Sequence, residues 1–573
     1  ASVKKQIEDC NLTGIEFVES NSRYYPLGDF CSYVVGYAKS YNDQSVKKMV
    51  GEMGLELSYD KQLKGKNGYK VYQTDANGYA LVDGTLREKD PTNGNDLYLT
   101  IDSGLQRNLD YLMSNAYSES GAEVVTAGVM EIKTGKILAM STYPSFNPNE
   151  RNISTFNNYF LEGTIECGSV FKPFIYADSI EEGKYDHNAY YNSGNYNVYY
   201  GNKLVATIKD HNGGQGWGTI TYDQGLYHSS NVAICNLLDQ GYVTKDVLTE
   251  KLNDLGFFQG DTMDGLTCSS SINAYTRKNA GRLEYLTTGF GQGSTVTPYQ
   301  LLKAYSVFGN DGKTVQPHIV DKVVNPVTNK VVYQATPKYS KQIFSTNTIS
   351  QVKDLMLGVI EDEQGTGKTY RLDNDVRMIG KTGTGQVVEN GGYSTTLYMH
   401  SFVGIAPYDD PQVVMFLTFK SGDSYAQYMP NIVKQTMNEA LQVVNRYNAK
   451  NTTAVDQSCT LDSYTNQSVN YVKSKLESKS LSVQIIGNGS SVIEQYPLAK
   501  SKVTSGDKVF IKTEGKDITL PNLIGWSKKE VQTYASLAGI QLTIDGTSGH
   551  VTAQSVGENT VVHSGDSLIV AIS

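Results

Sequence analysis

The stretch Glu166-Cys-Gly-Ser-Val-Phe-Lys-Pro-Phe174 sets a serine, Ser169, three residues before a lysine, Lys172. If a helix begins at Ser169, both side chains lie on one face of it. A desolvated, uncharged lysine can accept the proton of the serine hydroxyl, and the helix N-terminus adds a positive field at an attacked carbonyl. The spacing alone is a weak signal, because Ser58 and Lys61 repeat it.

A second motif, Ser229-Ser-Asn231, places a hydroxyl near a side-chain amide. In isolation a Ser/Asn cluster is as typical of a turn as of an active site. The same spacing occurs elsewhere, for example at Ser145 and Asn147. The order of the motifs along the chain, rather than any one motif, therefore carries the functional signal.

The third motif is Lys381-Thr382-Gly383-Thr384, and we predict that a strand over 376–379 leads into it. Glycine lets the backbone of a ligand lie close along an edge strand. The lysine supplies a positive charge for a substrate carboxylate, and the threonine hydroxyls can donate hydrogen bonds to it. These three motifs, in this order, are those of penicillin-interacting serine acyl-transfer enzymes.

Composition excludes several classes of protein. The chain has 573 residues, a net charge of −9 and no Lys/Arg run that would form a nucleic-acid-binding stripe. The 6 cysteines contain no Cys-x-x-Cys pair, which argues against a zinc ribbon, and the histidines show no metal-ligand spacing. No apolar stretch approaches the roughly 18 residues of a membrane span. Because the sequence opens at Ala1 without methionine, we expect a removed N-terminal anchor.

The pattern along the chain predicts four domains, at 1–95, 96–450, 451–514 and 515–573. The first is polar and rich in turn signals, so we expect irregular structure there. The second opens with a strand, a helix and two strands joined by a turn at Thr134-Gly135. This mixture predicts one large α+β domain.

The tail contains an internal repeat, in which Val492-Ile-Glu-Gln495 recurs as Val551-Thr-Ala-Gln554 at an offset of 59 residues (554 − 495). A repeat of this length indicates two copies of one small domain. In the second copy Ser527 is the predicted N-cap of a helix, and Glu530 completes a capping box. Because alternating strands follow that helix, we predict that each copy is α+β.

Further stretches accompany the three motifs and carry a family resemblance: Arg23-Tyr-Tyr-Pro26, Gly54-Leu-Glu56, Leu99-Thr-Ile-Asp102, Gly289-Phe-Gly-Gln-Gly293, Thr297-Pro298 and Ser401-Phe-Val-Gly404. With them the chain resembles the class B penicillin-binding proteins, the monofunctional D,D-transpeptidases, and more narrowly the septal, PASTA-bearing type of Gram-positive bacteria. The resemblance implies a multidomain α+β protein. Its parts would be a serine β-lactamase-like transpeptidase α/β fold, a partial N-terminal pedestal of the dimerisation type and two small α+β PASTA domains.

The resemblance also implies a serine acyl-enzyme mechanism. Ser169 would attack the penultimate D-Ala carbonyl of a stem peptide, and Lys172 would take its proton. Ser229 would relay a proton to the leaving D-Ala, Asn231 would hold the substrate amide, and Lys381 would organise this network. The implied substrate-binding and oxyanion residues are Thr382, Gly383 and Thr384.

Partners and location follow from the same resemblance. The substrates would be peptidoglycan stem peptides and their lipid-linked precursor, and β-lactam antibiotics would acylate the serine. A membrane glycosyltransferase and other divisome proteins are the expected macromolecular partners, with no nucleic acid, no cofactor and no metal. The protein would work on the extracellular face of the cell membrane, held by an N-terminal single-pass anchor.

Two other functions share some of these features. A serine β-lactamase or β-lactam sensor has the three motifs, but such proteins rarely carry a pedestal and a PASTA tail. A catalytically idle peptidoglycan-binding scaffold would use the tail as a binding module. The intact Ser169, Lys172, Asn231 and Lys381 argue against the scaffold.

Three kinds of side chain near the motifs have open interpretations. Cys167, where the family usually has proline, is either a small buried hydrophobe or a redox-sensitive thiol, with a disulfide to Cys235 as the sharper alternative. His228 is expected to be a surface or packing residue. Of the 41 tyrosines, a dense group lies between Ser169 and Ser229, and we expect a glycan-facing wall there.

Overall fold

The computed structural model describes most of the chain, which divides into two compact units. One unit comprises Ala1–Tyr24 and Gly28–Asn445, and the other comprises Tyr25–Leu27 and Arg446–Ser573. No helix in the described part of the chain is long and apolar enough to cross a bilayer. The described residues are 22–43, 46–77, 79–372, 376–389, 391–452, 458–477, 479, 481–504, 507–546 and 550–572, with positions 4, 7, 9, 10, 14, 15 and 17.

The N-terminal segment contains more regular structure than its polar sequence predicts. It forms two antiparallel hairpins, β1 (Tyr37–Asp43) with β2 (Val46–Met53) and β3 (Tyr69–Thr74) with β4 (Ala80–Lys89). Every side chain of β3 is exposed, so this strand lacks the apolar–polar alternation by which a half-buried strand is recognised. Three short helices, α1 to α3, accompany the hairpins: Ser32–Val35, Gly54–Ser58 and Asp60–Leu63.

The large middle region alternates strands and helices. Strands β5 to β18 are Asp96–Leu99, Val124–Glu131, Ile137–Tyr143, Tyr190–Asn192, Asn195–Tyr200, Lys203–Lys209, Thr219–Thr221, Asp261–Met263, Leu266–Cys268, Val320–Val324, Val331–Gln334, Ile379–Glu389, Gly392–Ala406 and Val413–Ser421. Helices α4 to α12 are Ser103–Ser120, Lys172–Glu181, Tyr222–Tyr227, Asn231–Asp239, Lys245–Asp254, Arg282–Gly289, Pro298–Tyr305, Thr346–Glu361 and Met429–Thr452. Single turns of 3₁₀ helix occur at Gly168–Phe171, Ala274–Thr276, Ser306–Gly309, Lys368–Tyr370 and Asp423–Gln427.

A five-stranded antiparallel sheet forms the centre of this region, in the order β16-β17-β18-β6-β7. The predicted strand pair around Thr134-Gly135 is confirmed as β6 and β7. All eight residues of β6 are buried, because the sheet is covered on both faces. The predicted α+β class of this region is therefore confirmed.

Two apolar cores lie against the central sheet. One contains Leu105 and Leu109 of α4, Val433 and Met437 of α12, and Val125 of β6. The other contains side chains of helix α5 and helix α11 together with β16, β17 and β18. At roughly 1.5–3 kcal/mol for each fully buried large apolar side chain, these cores fix the position of the strand that carries the third motif.

The two tail repeats share one topology. In each, a parallel strand pair is extended by an antiparallel strand. In the first repeat Ser482–Ile486 pairs with Lys508–Thr513, which also pairs with Val492–Tyr496. In the second, Gln541–Asp545 pairs with Ser567–Ile572, which also pairs with Val551–Gln554. Helices α13 and α14 are Val469–Glu477 and Lys528–Ala538. The strands β19 to β28 are Ser458–Thr460, Ser482–Ile486, Val492–Tyr496, Lys502–Thr504, Lys508–Thr513, Ile518–Thr519, Gln541–Asp545, Val551–Gln554, Val561–Val562 and Ser567–Ile572.

Equivalent residues of the two tail repeats make equivalent contacts. The Gln495 side chain accepts a hydrogen bond from the Tyr464 amide, and Gln554 accepts one from the Leu523 amide, both at 2.7 Å. The predicted capping box is confirmed, because the Ser527 hydroxyl accepts from the amide of Glu530, whose carboxylate accepts from the Ser527 amide. Two polar stretches of the tail, at Thr453 and at Ser505-Gly506, lie outside the described residues.

Candidate active site

Ser169 lies on a single turn of 3₁₀ helix, Gly168–Phe171, which runs directly into helix α5. The α-helix therefore begins at Lys172, whereas the interpretation of the Ser169–Lys172 spacing assumed a start at Ser169. Gly168 has a φ of +61°, and a Cβ there would lie 2.3 Å from the carbonyl oxygen of Thr384. Only glycine permits this approach, which seats the turn against strand β16.

The second motif lies in a strained connection between helices α6 and α7. Ser229 has a φ of +57°, a left-handed conformation that costs a residue other than glycine about 1–3 kcal/mol. Ser230 is the N-cap of α7, with its hydroxyl accepting from the Ala233 amide at 3.0 Å. Asn231 is the first residue of α7, and its side chain donates to the Lys209 carbonyl at 2.8 Å.

The third motif lies within strand β16 rather than after a strand. The predicted strand over 376–379 is wrong in position, because β16 begins at Ile379 and continues to Glu389. Strands disfavour glycine, yet the glycine-containing motif pairs with β17 here, with Lys381 opposite Val403. The backbone of this strand is thereby presented along one side of the cleft.

Two buried lysines meet at Ser229. The Lys172 Nζ donates to the Ser229 carbonyl at 2.5 Å and lies 3.4 Å from its Oγ. The Lys381 Nζ donates to the Ser229 Oγ at 2.7 Å and to the Thr382 carbonyl at 2.9 Å. The first and third motifs are therefore joined through the hydroxyl of the second.

Burial lowers the pKa of both lysines. Each is 0% exposed. Loss of water lowers the pKa of Lys172 to about 7, although the nearby charges of Asp210 and Cys235 act to raise it. Burial and the neighbouring charge of Lys172 hold the pKa of Lys381 well below its usual range. At neutral pH, Lys172 therefore exists partly as a free amine that can accept a proton.

The Ser169 hydroxyl is half-buried and faces the same space. It forms no hydrogen bond with any described residue, so it is available to a ligand. The cleft has a volume of about 730 Å³. Among the residues that line it are six of the eight predicted site residues: Ser169, Ser229, Asn231, Thr382, Gly383 and Thr384. The other two, Lys172 and Lys381, reach the cleft through Ser229.

Asp210 is a site residue that the sequence did not reveal. It is 1% exposed, and its Oδ1 accepts from the Ser230 hydroxyl at 2.9 Å and from the Asn231 amide at 2.7 Å. Its Oδ2 accepts from the Gly194 amide at 2.8 Å. Asp210 thus holds the second motif in place. It follows a short strand well before that motif, and no local pattern connects the two.

Cys167 and Cys235 are both buried free thiols, so the disulfide alternative is wrong. Burial raises the pKa of both thiols, which makes them poor nucleophiles. His228 is a packing residue, stacked on Trp217 with ring centroids 4.5 Å apart. No group of His, Cys, Asp and Glu in the described part of the chain has an arrangement that could hold a metal ion.

The tyrosines between the first two motifs divide into two groups. Tyr176 and Tyr222 are 0% and 2% exposed, and with Tyr191 they pack in the core. Their hydroxyls and rings therefore cannot form part of a glycan-facing wall. The exposed members are Tyr190, Tyr199 and Tyr200.

Comparison with known proteins gives matches along most of the chain. The Penicillin binding protein transpeptidase domain matches residues 125–442, and the Penicillin-binding Protein dimerisation domain matches 1–99. The PASTA domain matches 460–515 and 518–573.

Curated relatives are similar over most of the chain. Stage V sporulation protein D of Bacillus subtilis is 30% identical over 533 residues, which are 90% of this chain and 79% of the relative. The Peptidoglycan D,D-transpeptidase FtsI homolog of Mesostigma viride is 28% identical over 439 residues, with 72% of this chain and 70% of the relative covered. Both matches extend well beyond the three short motifs.

A solved structure shows the fold. Penicillin Binding Protein 2X from Streptococcus thermophilus superposes with a TM-score of 0.67 and 24% sequence identity. The superposition covers 100% of this chain and 86% of that one. The predicted fold class is thereby confirmed.

Proposed function

Because the chain belongs to the family of penicillin-binding protein transpeptidases, we propose that Ser169 is its nucleophile and that Lys172 is the general base. The protein is a serine-type peptidoglycan D,D-transpeptidase that acts through acyl transfer. One observation carries the assignment of residues. The two buried lysines converge on Ser229, in the same cleft in which the Ser169 hydroxyl is free.

Acylation begins when Lys172 accepts the Ser169 proton as Oγ attacks the penultimate D-Ala carbonyl. The new bond joins Oγ to that carbon, and the former carbonyl oxygen becomes an oxyanion. We assign the backbone amides of Ser169 and Thr384 as its donors, a contribution of about 10²–10³ in rate for each donor of this kind. The amide bond to the terminal D-Ala then breaks, and Ser229 passes the proton from Lys172 to the leaving nitrogen.

Substrate recognition is assigned to the strand and helix that flank Ser169. Strand β16 presents Thr382 and Thr384 to the terminal carboxylate, and Gly383 leaves room for the substrate backbone. A Cβ at Gly383 would lie 2.7 Å from the Cys167 carbonyl oxygen, so this position also sets the spacing between β16 and the Ser169 turn. Asn231, held by the Lys209 carbonyl, orients the substrate amide from the opposite side.

Deacylation requires an amine from a neighbouring stem peptide. Its nitrogen attacks the acyl carbon, the bond to Ser169 Oγ breaks, and the hydroxyl recovers its proton, so two substrates react in turn. β-Lactams acylate the same serine, as they do in other members of the family. Glu166 is not assigned as a water-activating base, because its carboxylate accepts a hydrogen bond from Tyr393 at 3.1 Å and lines another cavity.

We further propose the setting in which the enzyme works. The similarity to Stage V sporulation protein D and to transpeptidases of the cell wall supports action on the extracellular side of the membrane, through an N-terminal anchor. A membrane glycosyltransferase and other divisome proteins are the proposed partners, with the lipid-linked precursor as a source of stem peptides. The domain division 1–95, 96–450, 451–514 and 515–573 is kept as a proposal, which the matched family ranges support.

A fluorescent penicillin tests the assignment of Ser169. The wild-type chain should form a long-lived covalent adduct, and mass mapping should place it on Ser169. Ser169→Ala should abolish the adduct, whereas Ser58→Ala should retain it, because Ser58 has the same spacing to a lysine but lies in the N-terminal segment. Rapid release of hydrolysed penicillin would identify a β-lactamase instead, and absence of any adduct would favour a scaffold.

A further inference from the structure

A second cavity, of about 420 Å³, adjoins the catalytic cleft and has no role in the chemistry described above. We call it the Glu166 cavity. Gln386 of strand β16 lines both the cleft and the Glu166 cavity. Glu166 and Ser169 are three residues apart, so their Cα atoms lie at most about 11 Å from each other. A ligand in the cavity is therefore close to the acyl group that forms on Ser169.

The carboxylate of Glu166 is left incompletely satisfied. Glu166 is 7% exposed, and its Oε1 accepts from the Tyr393 hydroxyl at 3.1 Å. Its Oε2 is buried and has no hydrogen-bond partner among the described residues. Burial raises the pKa of this carboxyl above its ordinary value. A buried acceptor without a donor costs about 1–3 kcal/mol, and a ligand with N–H donors would remove that cost.

The other charges around the cavity favour a cation. Glu162 contributes a second carboxylate to the lining. The lysine in the lining, Lys420, is already engaged by Glu123 at 2.6 Å and by Glu389 at 3.6 Å. Its charge is therefore compensated elsewhere, and Glu166 and Glu162 set the sign of the potential that a ligand meets.

The remaining walls combine polar side chains, such as Thr126 and Asn157, with apolar ones. Ile165, Pro298, Val387 and Met399 line the cavity together with the carboxylates. Apolar side chains beside a buried carboxylate fit an alkyl chain that carries an ammonium group. An alkylamine is almost entirely protonated at neutral pH, since its pKa is about 10.4.

We propose that the Glu166 cavity binds the alkylammonium side chain of the acceptor stem peptide, with Glu166 as its counter-ion. The inference rests on the proposed function, because an acceptor is needed only if an acyl-enzyme forms on Ser169. No bond forms or breaks at Glu166. The cavity holds the amine-bearing chain beside Gln386. Lys172, the proposed base, takes the proton of the ammonium, and the free nitrogen then attacks the acyl carbon as the bond to Ser169 Oγ breaks.

Partition of the acyl-enzyme between an amine and water tests the proposal. The full chain is acylated with a D-Ala thioester donor, and a stem tripeptide with a free side-chain amine is added as acceptor. Glu166→Gln keeps the shape and removes the charge. It should lower the ratio of aminolysis to hydrolysis at limiting acceptor by at least about tenfold, while hydrolysis and penicillin acylation stay within twofold. Glu150→Gln, a change at an exposed carboxylate, should leave the ratio unchanged.

A second variant covers the case in which Glu166→Gln disturbs the fold. Val388 lines the cavity but is 62% exposed, so Val388→Lys adds an ammonium at its rim without touching the core. It should also lower the aminolysis ratio by about tenfold, with acylation unchanged. An unchanged ratio in both variants overturns the proposal. Failure of the wild-type chain to acylate would instead overturn the proposed function, so the two failures are distinguishable.

Discussion

The catalytic cleft and the junction between the two tail repeats hold lysine differently. Lys172 and Lys381 are fully buried, whereas the Lys508 side chain is 17% exposed and paired. In the cleft, no described carboxylate lies within 4.0 Å of the ammonium of Lys172 or Lys381. In the tail, the Lys508 Nζ lies 3.3 Å from the Glu530 carboxylate and 3.5 Å from the ring centroid of Trp526. Lys508 thus has an ion-pair partner, whereas Lys172 has none among the described residues and is the proposed base.

The comparison distinguishes a lysine that forms an ion pair, Lys508, from one that has no carboxylate partner in the described part of the chain, Lys172. Burial lowers the pKa of Lys508 as well, but Glu530 acts to raise it. An ion pair and an aromatic face return part of the solvation that burial removes. A buried lysine that has neither an ion pair nor an aromatic contact has a lowered pKa. A lysine with such a pKa is suited to proton transfer. The four predictions below test this contrast.

The largest expected effect is that of removing the Lys172 amine. Lys172→Met should slow penicillin acylation by about 10²–10⁴-fold, the usual contribution of a positioned general base. Lys508→Met is the matched control and should leave acylation unchanged. The measurement is the second-order rate constant of adduct formation. A Lys172→Met rate within threefold of wild type would contradict the assignment of Lys172 as the base.

The pH dependence of acylation gives the next largest effect. Because burial lowers the pKa of Lys172 to about 7, the amine is protonated below that pH and free above it. The acylation rate constant should therefore rise with pH and level off above about 7, with a loss of about 100-fold at pH 5. A profile measured from pH 5 to 9 checks this. A rate that falls as pH rises through 7 is incompatible with a lysine base.

Asp210 connects the second motif to the charge of Lys172. Asp210→Asn should lower the acylation rate about tenfold, because Ser230 and Asn231 lose a charged acceptor. It should also move the acid limb of the pH profile to lower pH, because Asp210 acts to raise the pKa of Lys172. Asp223→Asn, a change at a carboxylate that bonds Tyr185, is the control. A lower rate with an unmoved acid limb would mean that Asp210 has only a packing role.

The smallest expected effect concerns the tail. Lys508→Met should lower the free energy of local opening of helix α14 by about 1 kcal/mol, through loss of the contacts with Trp526 and Glu530. Hydrogen exchange of the α14 amides in the full chain should accelerate roughly fivefold. Lys512→Met, which breaks a surface pair with Glu494, should change little. Equal effects of the two variants would remove the distinction drawn for Lys508.

Elements with strong local signals could be predicted from the sequence. The α14 capping box depends on Ser527 and Glu530 alone, and the turn at Thr134-Gly135 depends on the residues beside it. The β3–β4 hairpin gave no such signal, because the exposed strand β3 needs no apolar face. Strand β16 was misplaced because glycine is unfavourable in strands, and the pairing of β16 with β17 overrides that preference.

The candidate site likewise contains residues that the sequence revealed and residues that it did not. The three motifs named all eight candidate residues, since seven have polar side chains suited to acyl transfer and Gly383 leaves room for a ligand backbone. Asp210 and the Glu166 cavity were not visible, because they depend on segments that come together only in the folded chain. The disulfide alternative failed for the same reason, since only the fold decides which cysteines lie close enough to bond.

The sequence by itself determined the family and the order of the domains, and it named the candidate groups for the chemistry. Only the tertiary structure decided their chemical state. Lys172, Lys381 and Lys508 are the same side chain in the sequence, and the shifts of their pKa values follow from which distant elements remove water and which supply a carboxylate. A pKa is set by the surroundings of a group in space, and the sequence lists only its neighbours along the chain.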